Sequence, residues 1–303
     1  MLFRSGIAGR TLTWVDRKGM AQAVKIPPRA FFNPRLSPDG RYLAVGVIDT
    51  NIDIWVSELA RGAFTRLTFD PARDADPVWT PDGKRIAFGS ERAGPENLYW
   101  KPADSSGAEE RLTTSPNAQR PESFSPDGKW LAYQELTAAN SNDIWVLPGP
   151  GGAPGERKPR PFLQTPFNEH APRFSPDGRW IAYCSDESRR LEVYVQPFPG
   201  PGGKWQVSTD GGAEPVWARS GRELFYRNGD KMMTVDVSTA KTFSAGTPRV
   251  LFEGAYFTFP GFTNYDVSAD GQRFVMIRTF DSESAPSQLH LVQNFTEELK
   301  RRR

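Results

Sequence analysis

"RFSPDGRWIAYCSDES", residues 173–188, repeats at a distance of 50 residues the stretch "SFSPDGKWLAYQELTA" at 123–138. The tetrapeptide inside it recurs along the chain. "SPDG" starts at 37, 125 and 175, "TPDG" at 80, "SADG" at 268, and a decayed "ARSG" at 218. Successive starts are 43, 45, 50, 43 and 50 residues apart. A period in the forties with strand-like content between turns indicates propeller blades rather than a helical array.

Every unit has the same order of parts. An apolar residue precedes the turn (Leu36, Trp79, Phe124, Phe174, Trp217, Val267), and an alternating strand follows it, as in "RYLAVG", "KRIAFG" and "RWIAYC". A third strand comes next, such as "DIWVSEL", "NLYWKPA" or "LHLVQNF", and in most units a fourth, such as "FTRLTF" or "KWQVST". Four short antiparallel strands per period make one blade. Within the turn, Pro presets φ, Asp accepts from nearby backbone N–H groups, and Gly takes the left-handed conformation that ends it. The repeated Asp residues are therefore expected to be turn formers, not ligands.

The fold class expected is all-β: a propeller of four-stranded antiparallel blades filling residues 1–303 as a single domain. Residues 1–28 carry strands with no innermost strand before them. Either they complete the last blade of a six-bladed ring, or they are the remainder of an incomplete seventh blade. "TEELKRRR", 296–303, reads as a basic tail or short helix with Thr296 as N-cap. The 27 Gly and 27 Pro, spread along the chain, suit many turns.

Composition excludes several function classes. With 38 Lys and Arg against 36 Asp and Glu, no strong global field favours nucleic acid or an anionic membrane. The nine Trp lie mostly at repeat positions, which means blade packing rather than base stacking. The single Cys184 rules out an internal disulfide and a cysteine-based zinc cage. No stretch approaches the roughly 20 apolar residues of a membrane span. "MLFRSGIAGR" lacks the apolar core of a signal peptide. The expectation is a soluble cytoplasmic chain if Met1 is the native start, and an extracytoplasmic domain if the chain is part of a longer membrane-bound protein.

"SPDGRYLAVG", "DIWV" and "RLTT" resemble the repeats of TolB-like propellers, relatives of WD-repeat propellers, over nearly the whole chain. "RTLTWVDRKG", "LTFDPARDADPVWTPDG", "LYWKPADSSG", "RPFLQTPFNEHAPRFSPDGRW" and "VQNFTEELKR" are more closely similar to the C-terminal sensor region of bacterial membrane-bound serine/threonine protein kinases. That resemblance implies a sensor propeller that follows a cytoplasmic kinase and a membrane span. The chain itself carries no Gly-rich loop, "HRD" or "DFG", so no phosphotransfer is expected of it.

A hydrolase elbow "GxSxG" is absent as well. Of the two histidines, His290 lies in the alternating "QLHLVQ" and reads as structural, whereas His170 in "FNEHAP" sits just before an innermost strand. The residues four to six before each turn are polar and differ from unit to unit: "FFN", "DAD", "QRP", "EHA", "GAE" and "FTN". Variable loops on a rigid ring are where binding resides. Asp74, Asp76, Arg120, Glu169, His170, Glu214 and Asn264 are accordingly the candidate lining of the channel mouth, the alternative being solvated loop residues. Asp74, Asp76, Glu169 and Glu214 are oxygen donors, yet their spacing matches no calcium loop, so no metal and no cofactor are expected. The leading expectation is a non-catalytic, monomeric binding or sensor module for a protein, peptide or small ligand. Its rivals are a lyase or hydrolase using Glu169 and His170 as acid and base, and a truncated fragment of a receptor kinase.

Overall fold

The computed structural model describes residues 9–137, 141–149 and 158–279. Among them there are 25 strands and no helix. The strands form six antiparallel sheets, each beginning with the strand that precedes a turn and, in blades 1 to 5, running outward in chain order. In blade 1 these are Ala30–Leu36, Tyr42–Ile48, Ile52–Glu58 and Ala63–Arg66. The innermost strands of blades 2 to 6 are Asp74–Trp79, Ala118–Phe124, Glu169–Phe174, Ala213–Trp217 and Tyr265–Val267. In blade 5 the outer strand is split, with Ser244–Ala245 and Arg249–Glu253 both pairing with Lys231–Ser238.

The ring closes through the N-terminus. Arg10–Asp16 pairs antiparallel with Arg273–Thr279 along its whole length, from Arg10 opposite Thr279 to Asp16 opposite Arg273, and Ala21–Ala23 adds the outer strand. The N-terminal segment thus supplies the third and fourth strands of blade 6, and the seven-bladed alternative is corrected to six. The reason is hydrophobic: Leu12, Val15, Val275 and Ile277 are fully buried only when these two strands lie side by side. The expected third strand "LHLVQNF", His290 within it and the helix at 296–303 lie outside the described residues.

The turns fold as their sequence dictates. Ser37 Oγ donates to Asp39 Oδ1 at 2.5 Å and accepts from Tyr42 N at 2.9 Å, while Arg41 N donates to the same carboxylate oxygen at 3.0 Å. The hydroxyl-to-carboxylate bond recurs at Thr80–Asp82, Ser125–Asp127, Ser175–Asp177 and Ser268–Asp270. The Ser37 hydroxyl first, then the Arg41 N–H, hold the Asp39 carboxyl below its usual range. Gly40, Gly128 and Gly178 each take φ of 71°. Blades are tied pairwise at the same level, since the Trp79 indole donates to Arg35 O at 2.9 Å and the Trp217 indole to Arg173 O at 3.0 Å.

Candidate functional site

The entry half of the innermost strand is strained and bulged in blades 1, 2, 4 and 5. Asn33, Asp76, Ala171 and Glu214, all four residues before their turns, take φ of 49°, 58°, 54° and 58°. Each precedes a proline (Pro34, Pro77, Pro172, Pro215), and at each the register with the second strand shifts by one residue. A proline has no N–H to donate, and on an edge strand beside a bulge none is needed. These positions were expected in loops. They lie instead at or just before the innermost strands, so the loop assignment is corrected: Asp74, Asp76, Glu169, His170, Glu214 and Asn264 are all buried, and only Arg120 keeps a partly exposed side chain.

The bulges divide the candidates into two groups. Asp74 and Glu169, six before their turns, are held by side chains of the scaffold. Asp74 accepts both contacts of a bidentate pair from Arg92 Nη2 at 3.0 Å, and the Thr165 hydroxyl donates to Glu169. Burial raises the Asp74 carboxyl and pushes Glu169 up to about 7. His170 is enclosed, its Nδ1 without a hydrogen-bond partner among the described residues, and burial pulls it down to about 4, so it is neutral at physiological pH.

Asp76 and Arg120 belong to one connected system, and Glu214 and Asn264 to a second pair. Asn33 donates to Asp76, Arg73 Nη2 stands 3.6 Å from the Asp76 carboxylate, and Arg73 and Arg120 both clasp the buried Glu96, the latter at 3.0 Å. Glu214 accepts from Asn264 N at 2.7 Å. Burial, then the nearby Glu96 carboxylate, push Asp76 up to about 7 against the pull of Arg73. Burial alone does the same to Glu214, opposed by Arg227.

Three residues absent from the sequence-based candidates close the channel. Glu122 of blade 3 stands where four other blades carry the bulge proline, and its carboxylate meets Arg173 of blade 4 at 3.5 Å and Arg35 of blade 1 at 3.9 Å. Blades 1 and 3 are not neighbours, so the Arg35 guanidinium reaches through the channel; its Nη1 also donates to Thr263 O, ahead of blade 6, at 2.8 Å. All three side chains are buried. Burial and the facing Arg173 lower Arg35 to about 10, and burial raises Glu122. The sequence does hold a signal for this triad: position three before the turn reads Pro, Pro, Glu, Pro, Pro, Tyr around the ring.

Above the plug lies an open cavity of about 450 Å³. Its wall combines Phe32, Phe257, Phe259 and Phe262 with the guanidinium groups of Arg10, Arg73 and Arg120 and with Asn33 and Asn264. The segment between blades 5 and 6 builds one side. Phe257 lies 3.7 Å beneath the Arg10 guanidinium, Phe262 4.7 Å beneath that of Arg120, and Gly261 O accepts from Gln134 of blade 3 at 3.3 Å. Phe259 is 53% exposed at the rim. Arg10 and Arg120 stack on these rings while Nη1 of Arg10 donates to Phe31 O and Nε of Arg120 to Glu96, and Glu91 also lines the wall. Among the described residues no group of three or more His, Cys, Asp and Glu is placed to hold a metal ion.

Residues 14–149 match the family model described as the TolB beta propeller domain. An uncharacterized protein of Agrobacterium fabrum is 35% identical over 71 residues, which are 23% of this chain and 24% of that protein. The match therefore spans about a quarter of the curated relative's length. Among solved structures, a protein assigned as TolB from Agrobacterium tumefaciens superposes with a TM-score of 0.72 at 20% identity, covering 91% of this chain and 100% of that one. TolB from Acinetobacter baumannii gives 0.60 at 17%, over 89% of this chain and 64% of that one. An oligogalacturonate lyase in complex with manganese gives 0.60 at 15%, over 93% and 82%. At these identities the likeness is one of fold. Six closed sheets and these superpositions make the chain a six-bladed β-propeller, similar in its residues 14–149 to the TolB beta propeller domain.

Proposed function

We propose that this propeller is a non-catalytic binding module, and that its ligand, a segment of protein, a peptide or a small molecule, is an anion with an apolar part taken up at the channel mouth. The observation that carries this reading is the 450 Å³ cavity in which four phenylalanines alternate with Arg10, Arg73 and Arg120. A preformed concave site with a few converging polar groups is the ordinary form of a ligand pocket. The Arg35–Glu122–Arg173 plug gives it a floor, so the ligand stays at the mouth rather than threading the ring. The role as a sensor beside a kinase belongs to the same proposal and is supported by the sequence resemblance alone.

A non-catalytic role is supported by the state of the two residues that an acid–base mechanism needs. Glu169 is engaged by Thr165, and His170 is enclosed and neutral, without access to a bound molecule. The reading is tested by screening a library of short anionic peptides and aromatic carboxylates against the full chain, and repeating each hit with Arg120→Ala. A loss of at least tenfold in affinity is expected in a variant that still melts cooperatively, since one charge-assisted contact is worth about 1.5–3 kcal/mol; some loss of stability accompanies it because Arg120 also pairs with the buried Glu96. Hits that ignore Arg120→Ala and Arg73→Ala, or turnover of any hit that disappears in His170→Ala, would overturn it.

A further inference from the structure

The residue that follows the third strand in blades 2, 3 and 4 occupies a wedge position against the preceding blade. Its backbone is fixed in the same way each time: Ala103 N donates to Lys84 O at 2.9 Å, Gly149 N to Lys129 O at 2.6 Å, and Phe198 N to Arg179 O at 2.7 Å. In blade 4 the wedge is Phe198, whose ring stands edge-on to Phe174 at 4.9 Å and to Trp130 at 5.7 Å. Between blades 4 and 5 the gap is filled by Phe243, 5.6 Å from Trp180 and 6.3 Å from Trp217. In blade 2 the wedge is Ala103. The aromatic walls are still there, Tyr42 where blade 3 has Trp130 and Trp79 where blade 4 has Phe174, with ring centroids 6.4 Å apart. What they face is a cleft of about 720 Å³, floored by Val56 and Leu67.

The rim of this cleft on the blade 2 side carries Lys84, exposed and in no salt bridge among the described residues, Arg85, half-exposed over the Trp100 ring at 4.4 Å with its Nη1 3.9 Å from the Glu110 carboxylate, and the exposed Asp104. On the blade 1 side the charges are already matched, Arg66 by Asp53 at 2.7 Å and Glu58 by Arg61 at 3.5 Å.

We propose that the cleft between blades 1 and 2, on the turn face and remote from the channel mouth, docks a peptide segment of a partner protein that inserts one aromatic side chain next to carboxylates. The chain itself supplies the template: the same walls in blade 4 hold a phenyl ring edge-on. The inserted ring takes the place of Phe198 against Tyr42 and Trp79, and the neighbouring carboxylates meet Lys84 and Arg85. An aromatic anchor in a desolvated pocket with a charged rim is the ordinary form of an interface hot spot.

The test uses the full chain and the end-capped peptide Asp-Asp-Phe-Asp-Asp, with titration followed at the indole N–H signals of Trp79 and Trp217. A saturable shift at Trp79 with none at Trp217 is expected, with Kd on the order of 0.1–1 mM for so short a probe. Replacing the peptide Phe by Ala, or filling the cleft with Ala103→Phe, is expected to weaken binding at least tenfold. Lys84→Glu combined with Arg85→Glu is expected to weaken it several-fold. No saturable shift up to roughly 5 mM peptide, equal binding by a folded Ala103→Phe variant, or equal binding of the Ala peptide would each overturn the proposal. Should Ala103→Phe fail to fold, the Ala peptide and the Lys84/Arg85 variant decide it.

Discussion

The two ends of each innermost strand obey different constraints. At the turn end, five blades repeat one hydroxyl–carboxylate–glycine arrangement with nearly the same distances and the same positive φ. At the mouth end, the same strands carry Asn33, Asp76, Pro121, Ala171, Glu214 and Asn264 at one position, and of all neighbouring blades only 6 and 1 agree. The turn solves a local problem, reversing the chain, and one solution serves five times. The mouth faces a shared axis, where side chains from six blades must satisfy one another. Repetition there would place like charges together, so the blades diverge. A ring of one repeated unit can bind only with what is not repeated.

The contrast can be broken from the mouth end first. Glu122→Ala leaves Arg35 and Arg173 buried without their carboxylate and is expected to destabilise the ring by about 3–5 kcal/mol, read as a shift of the urea midpoint; a loss below about 1 kcal/mol would show that the plug is solvated. The buried carboxyls come next. A folded-state pKa raised to about 7 at Glu214 means that the native state holds its proton more tightly than the unfolded chain. Its contribution is fully present below the unfolded value near 4.5 and is lost as pH rises through about 7. His170, lowered from 6.5 to about 4, works in the opposite direction over most of that window. Glu214→Gln is therefore expected to flatten the fall in stability between pH 5 and 7, at most about 1.4 kcal/mol per pH unit, and an unchanged profile would refute the assignment.

Smaller effects belong to the scaffold. Phe198→Ala recreates in blade 4 the open cleft that Ala103 leaves in blade 2. The loss should be about 2 kcal/mol, below the fully buried figure because Phe198 is only half-buried. At the turn end, Gly271 takes φ of 69° with open space where a Cβ would sit. Gly271→Ala is expected to cost about 1 kcal/mol of pure backbone strain and to leave mouth binding untouched. Denaturation midpoints of the two variants, with ligand affinity alongside, separate packing from turn chemistry.

Much of this was legible from the chain. The spacing of "SPDG" and its variants located every innermost strand and every turn, because a tight reversal depends on four adjacent residues. The N-terminal strands were legible as surplus, but their partner Arg273–Thr279 was one of two possibilities until pairing decided it. Of the seven residues reached by counting back from the turns, Arg120 and Asn264 line the cavity, while Asp76 and Glu214 are buried beside the channel. Asp74 and Glu169 satisfied the same count and proved to face their own scaffold, because a one-residue bulge turns adjacent side chains to opposite sides. Arg35, Glu122 and Arg173 were missed, since a triad drawn from blades 1, 3 and 4 has no local signature beyond one absent proline.

The sequence by itself determined the period, the strand order within a blade and the scaffold role of the turn, all of which rest on interactions between residues close along the chain. Only the tertiary structure decided that the ring closes at six blades, that its axis is plugged by an ion triad, and that phenylalanines and arginines from blades 1, 2, 3 and 6 meet in one cavity. Those features depend on which side chains reach a common axis from positions as many as 228 residues apart, as Arg35 and Thr263 do. Curvature of the ring sets that meeting, and no short window of sequence contains it.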